Sequence, residues 1–110
     1  MKVMKNIDPL IPVGIDKIIE NSAHTIASKA ICATENTDVR FFSYAKGESI
    51  SKEFQEEDSL IYVYEGKLKI LFHETDEQVL SQGELMVLPT NVSYGIEVLE
   101  DSKSLNILVK

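Results

Sequence analysis

The sequence has one cysteine, Cys32, so no disulfide can form within the chain. A reducing, cytosolic compartment is the simplest setting for such a protein. No histidine lies near Cys32 in sequence and nothing local would activate its thiol, so a small apolar packing residue is expected there rather than a nucleophile. Arginine is as scarce: Arg40 is the single example. That argues against phosphate recognition, which draws on the guanidinium fork. The 11 basic residues are outnumbered by 18 acidic ones, giving a net charge of −7, and they form no cluster. An acidic surface repels a phosphate backbone, so nucleic acid is excluded as a partner. No apolar run approaches the length of a membrane span. The opening, MKVMKNIDPLIPVGID, lacks an uninterrupted apolar stretch and a small-residue cleavage site, and it is read as mature sequence.

What is present is the composition of a folded domain. The chain has 110 residues, 44% hydrophobic and 26% charged, which favours one domain with its own core. Residues 1–21 read as an N-terminal arm. PLIPVG is apolar and punctuated by Pro9, Pro12 and Gly14, as in an extended segment laid on another surface. Asp16 is placed to cap a short helical turn, KIIE. Residues 22–110 read as strands. HTIASKAIC and DVRFFSYA are rich in β-branched and aromatic residues. SLIYVYE, KLKILF, QVLSQGE, ELMVLP, SYGIEV and SLNILVK follow at short, regular spacing, separated by polar turns such as HETDE and DSK. That pattern predicts an all-β sandwich or barrel, and the absence of β-α-β alternation disfavours a parallel sheet.

SLIYVYE is apolar on both faces: Ser59, Ile61 and Val63 share one, Leu60, Tyr62 and Tyr64 the other. Only one can line a barrel interior. The Leu60/Tyr62/Tyr64 face is therefore expected to be covered by another sheet, by the arm or by a second copy, and a homodimer is the expectation drawn from it.

One stretch carries a motif frame. In GESISKEFQEEDSLIYVYEG, Gly47 is followed at fixed distances by Glu53, Gln55, Ser59 and Gly66. Gly83, Pro89 and Tyr94 come one hairpin later. This spacing resembles the paired motifs of the cupin superfamily, in which a first motif carries glycine, two histidines, a glutamate and a glycine, and a second carries glycine, proline and a histidine. The resemblance spans Gly47 to Val98. It implies a double-stranded β-helix, or jelly roll, usually dimeric, and it places Glu53, Gln55, Ser59 and Tyr94 together at the barrel mouth.

Every metal-ligand position of that frame departs from the family. Carboxylate, amide and hydroxyl oxygens replace the imidazoles that suit iron, nickel, copper and zinc, so the barrel and pocket are carried over and a metal is not. No other cofactor is implied. His24, in an early strand, and His73, in the HETDE turn, occupy no ligand position and are read as a strand histidine and an exposed turn residue. Glu56–Asp58 is read as a solvated loop. The pocket expectation adds Tyr44, Met86, Phe42 and Ile96 as apolar walls, with a sugar or organic acid as ligand. The function that follows is a small-molecule binding, sensing or accessory module. Two alternatives stand beside it. One is a metal-independent isomerase, epimerase or lyase using Glu53 as base and Tyr94 as acid. The other is a structural dimeric module whose polar cluster closes its own pocket.

Overall fold

A computed structural model describes residues 3–110. The first two residues of the arm, Met1 and Lys2, lie outside the described residues. Nine strands run β1 (Ile26–Ala33), β2 (Thr37–Tyr44), β3 (Ser49–Phe54), β4 (Asp58–Glu65), β5 (Lys67–Phe72), β6 (Asp76–Ser81), β7 (Leu85–Leu88), β8 (Ser93–Val98) and β9 (Ser102–Val109). They form two antiparallel sheets, β1-β2-β9-β4-β7 and β3-β8-β5-β6. Their facing sides enclose a core of Tyr44, Ile61, Val63, Leu68, Ile70, Leu80, Leu88, Ile96 and Val98. The apolar alternation of KLKILF and SYGIEV puts Leu68, Ile70, Ile96 and Val98 there, because period-two residues share a face. This is the expected all-β double-stranded β-helix.

Gly66 shows how tightly the sequence specifies the β4–β5 corner. Its φ is +83°, and a Cβ at this position would collide with Ser102 and the Asp101 carbonyl. Only glycine satisfies both conditions.

Three local expectations are corrected. The helical turn is a single 3-10 turn, Ile15–Lys17, with Gly14 at its N-cap and no side-chain cap bond, so Asp16 sits inside the turn rather than capping it. A pattern this short cannot support an α-helix. His24 stands before β1, exposed and with φ +58°, not within a strand. Ser102 and Lys103, read as part of a turn, begin β9.

The arm lies on the outer side of the five-stranded sheet. Met4 bridges Cys32, Lys5 N donates to Ile31 O at 2.8 Å, and Asn6 Nδ2 donates to Ala30 O at 2.6 Å, all along the edge strand β1. Ile18 and Ile19 then pack with Ile31, Phe41 and Tyr64 in a second buried cluster. Two lysines hold this turn down. Lys29 Nζ donates to Ile18 O at 2.6 Å and Lys103 Nζ to Asp16 O at 3.0 Å. Free carbonyls at the end of a helical turn are natural acceptors for cations. The arm thus covers the Tyr64 end of the face predicted to need cover. The opposite end remains open, with Leu85 and Val87 at 60% and 59% exposure.

Candidate functional site

A cavity of ≈ 460 Å³ opens between the two sheets. Its walls are the inward faces of four strands. Phe42, Tyr44, Arg40 and Asp38 come from β2, Asn106 and Leu108 from β9, Ile50 and Glu53 from β3, and Tyr94 and Ile96 from β8. The Thr34–Thr37 hairpin, Gln55, Glu57 and Lys110 form the rim.

A bulge builds the β3 wall. Ile50 pairs with Ile96 and Glu53 with Tyr94, and the register shifts between them. Residues three apart on a regular strand face opposite ways; an extra residue brings both to the same side. Gly95 allows it, since a Cβ there would lie 2.7 Å from Ile50 O and 2.9 Å from Lys52 N. Glu53 and Gln55, two apart, both line the cavity, and Tyr94 stands directly across from Glu53.

Of the residues predicted for the pocket, Glu53, Gln55, Tyr94, Tyr44, Phe42 and Ile96 line it. Ser59 and Met86 do not. Ser59 is buried on β4 with no hydrogen-bond partner for Oγ, and Met86 on edge strand β7 packs against the core. Both face inward, but β9 stands between their strands and the β2 wall. Glu57, read as part of a solvated loop, is half-buried and belongs to the rim. Reading the sequence missed Asp38, Asn106 and Leu108. In SLNILVK the aliphatic residues Leu105, Ile107 and Val109 share the outward face, and the polar pair Ser104 and Asn106 faces in.

The floor is a buried polar chain. Tyr44 is wholly buried, with its hydroxyl 2.7 Å from Ser104 Oγ; Ser104 donates to Asn106 Oδ1, also at 2.7 Å. Burial pushes the Tyr44 phenol up to about 12, and hydrogen bonding within the Ser104–Asn106 chain offsets part of that rise. Phe42 stacks on Tyr44 at 5.7 Å between ring centroids, 15° apart in plane. The rim is acidic. Four carboxylates, Glu35, Asp38, Glu53 and Glu57, face two cations, Arg40 and Lys110. Arg40 is held by Asp38 through Nε–Oδ1 at 2.8 Å and Nη2–Oδ2 at 3.2 Å. Lys110 Nζ lies 3.9 Å from Glu57 Oε1.

These residues do not fit a transition-metal site. Ser59 is outside the cavity, and Gln55 and Tyr94 are neutral oxygen or amide groups. Among the described residues no three of histidine, cysteine, aspartate and glutamate converge.

No family model and no curated protein sequence matches the chain. Solved structures do. A conserved protein of unknown function from Streptococcus pyogenes superposes with a TM-score of 0.94 at 17% identity, covering 100% of this chain and 96% of that one. A cupin superfamily protein from Desulfitobacterium hafniense gives 0.90 at 24% identity over 96% of each chain. The fold is that of the cupin superfamily. A cupin 2 conserved barrel domain protein from Leptotrichia buccalis gives 0.89 at 25% identity, covering 97% of this chain and 51% of its own. The cupin barrel fixes where a cavity lies; which molecule enters depends on this chain's own lining.

Proposed function

We propose that this cupin barrel binds a small organic molecule in the cavity between its sheets, without a resident metal, as a sensing or accessory module. The observation that carries the reading is the open cavity itself. Its ≈ 460 Å³ lies within the ~300–1,000 Å³ common for ligand sites, and an aromatic wall beside a few convergent polar groups is the usual composition of one. A purely structural role would have its own side chains fill that space. The test is a thermal-shift screen of the full chain against sugars, organic acids and metal ions, with elemental analysis of untagged protein. A saturable rise in melting temperature with an organic ligand is expected. No rise with any of them, or a stoichiometric transition metal in the purified protein, overturns the reading.

Acid–base turnover without a metal is the second reading, favoured by the direct pairing of Glu53 with Tyr94 across β3 and β8. Glu53 is exposed, which is poor enclosure for such chemistry. Glu53→Gln and Tyr94→Phe abolish turnover if it holds, and leave ligand binding reduced but present if the binding reading holds.

We also propose a homodimer built on the open end of the outer sheet face. Leu85, Val87 and Val109 are exposed there, and Leu60 and Ile107 lie between them in register. A contiguous apolar patch on a chain of net charge −7 is the surface two copies can bring together without mutual repulsion. Cys32, buried and unpaired, accords with a reducing cytosol.

A further inference from the structure

The chain of Tyr44, Ser104 and Asn106 has a proton order that its burial dictates. A wholly buried phenolic O–H needs an acceptor, and Ser104 Oγ at 2.7 Å supplies it. Ser104 has one proton, which goes on to Asn106 Oδ1. The reverse order would leave the Tyr44 proton with nowhere to go. The Asn106 side chain is therefore fixed with its carbonyl oxygen turned to Ser104 and its NH2 group turned away from it. Asn106 is itself 8% exposed, and what exposure it has is to the cavity.

The rim supplies the second half of the argument. Both cations are already engaged, Arg40 by two bonds to Asp38 and Lys110 by Glu57, while Glu35 and Glu53 have no ion-pair partner among the described residues. An anionic ligand meets unpaired negative charge at the mouth and no free cation within. A neutral ligand rich in hydroxyl groups meets amide donors at Asn106 and Gln55 and an aromatic wall at Phe42 and Tyr94.

We infer that Asn106 is a specificity-determining residue of this cavity, held in one orientation by Tyr44 and Ser104, and that its NH2 group donates to a hydroxyl or carbonyl oxygen of a neutral, polyhydroxylated ligand. The inference rests on the binding reading above and narrows it: the cavity takes the neutral sugar or polyol and rejects the corresponding acid.

The experiment is isothermal titration of the full chain with matched pairs that differ by one carboxylate, D-glucose with D-glucuronate and D-galactose with D-galacturonate, together with myo-inositol. At least one neutral member binds, and its acid partner binds at least roughly tenfold more weakly. Asn106→Asp, close to isosteric but without N–H donors, weakens the neutral ligand by roughly tenfold or more. Because a protonated carboxyl regains one O–H donor, the ratio of variant to native affinity recovers as pH falls through that carboxyl's titration. A purely structural role for Asn106 moves the variant's melting temperature and leaves that ratio flat with pH, which overturns the donor role. Acids binding as tightly as their neutral partners, or Asn106→Asp binding like the native chain, overturn this inference while leaving a ligand site in place. No binding by any neutral member overturns it, and the binding reading falls as well only if the wider thermal-shift panel is also silent.

Discussion

Tyr44 and Tyr64 lie on opposite faces of the five-stranded sheet, and their hydroxyls meet different surroundings. Tyr44 gives its proton to Ser104, whereas the buried Tyr64 hydroxyl has no hydrogen-bond partner. An unpartnered buried hydroxyl is a cost of about 1–3 kcal/mol, so Tyr64→Phe is expected to leave stability unchanged or raise it by up to about 1 kcal/mol. Tyr44→Phe, which strands Ser104 Oγ as an acceptor, is expected to lower it by about 1–2 kcal/mol. Urea denaturation at neutral pH separates the two. Both phenols are raised from 10.0 to about 12, Tyr44 by burial and Tyr64 by burial and then by the nearby carboxylates of Glu65 and Asp16. The unfolded chain releases these protons first. The stability tied to neutral phenols is thus intact below pH 10 and is lost as pH rises towards 12, by roughly 2–3 kcal/mol for Tyr44 and by less for Tyr64, where solvent screens the nearby carboxylates. Denaturation of the native chain and of both phenylalanine variants at pH 9 and pH 11 checks the sign: each variant loses less across that interval than the native protein.

The strands themselves were readable because apolar residues recur at period two in KLKILF and SYGIEV and because Gly66, Gly83 and Pro89 punctuate them. The facing of β9 was not. A strand of alternating serine, asparagine and aliphatic residues normally turns its polar side to water. Here the polar side of β9 lines an internal cavity, and its aliphatic side, Leu105 and Ile107, meets the Phe41/Tyr64 cluster and the open patch. Periodicity gives two faces and does not say which is inside when both are covered. The bulge that brings Ile50 and Glu53 together was equally silent, although Gly95, inside a strand, is the kind of residue that marks one. The arm shows element-scale design most directly. Its turn is too short to be helical alone and is held by Ile18, Ile19, Lys29 and Lys103. Ile19→Ala is expected to cost about 2–4 kcal/mol, and hydrogen exchange should speed up in the arm and along β1 before the rest of the sheet. Uniform loss of protection instead would mean that arm and barrel unfold as one unit.

On the scale of the whole molecule, the outer face of the five-stranded sheet is divided between two covers. The arm takes one end; the proposed second copy takes the other. Val87→Asp puts a charge into the open patch from edge strand β7, away from both the core and the cavity. It is expected to give a monomer in analytical ultracentrifugation with a fold unchanged by circular dichroism, while the native chain sediments as a dimer. A native monomer removes the dimer proposal and leaves the cavity argument untouched.

The position of β9 has a consequence for how this protein is made. It is the last strand in chain order, yet it lies in the middle of its sheet, flanked by β2 and β4. Until it arrives, β2 and β4 have facing edges with nothing between them, and Ser104 and Asn106 are missing from the cavity floor. The five-stranded sheet therefore cannot close progressively as the polypeptide emerges from the ribosome. Its assembly waits for a late, long-range insertion, the kind of step that makes β-rich domains slow to fold and exposed to misassociation on the way. Chains stalled or cleaved before β9 should accumulate as aggregates rather than as partly folded barrels, and the cavity and the stable fold should appear together, in a single kinetic event.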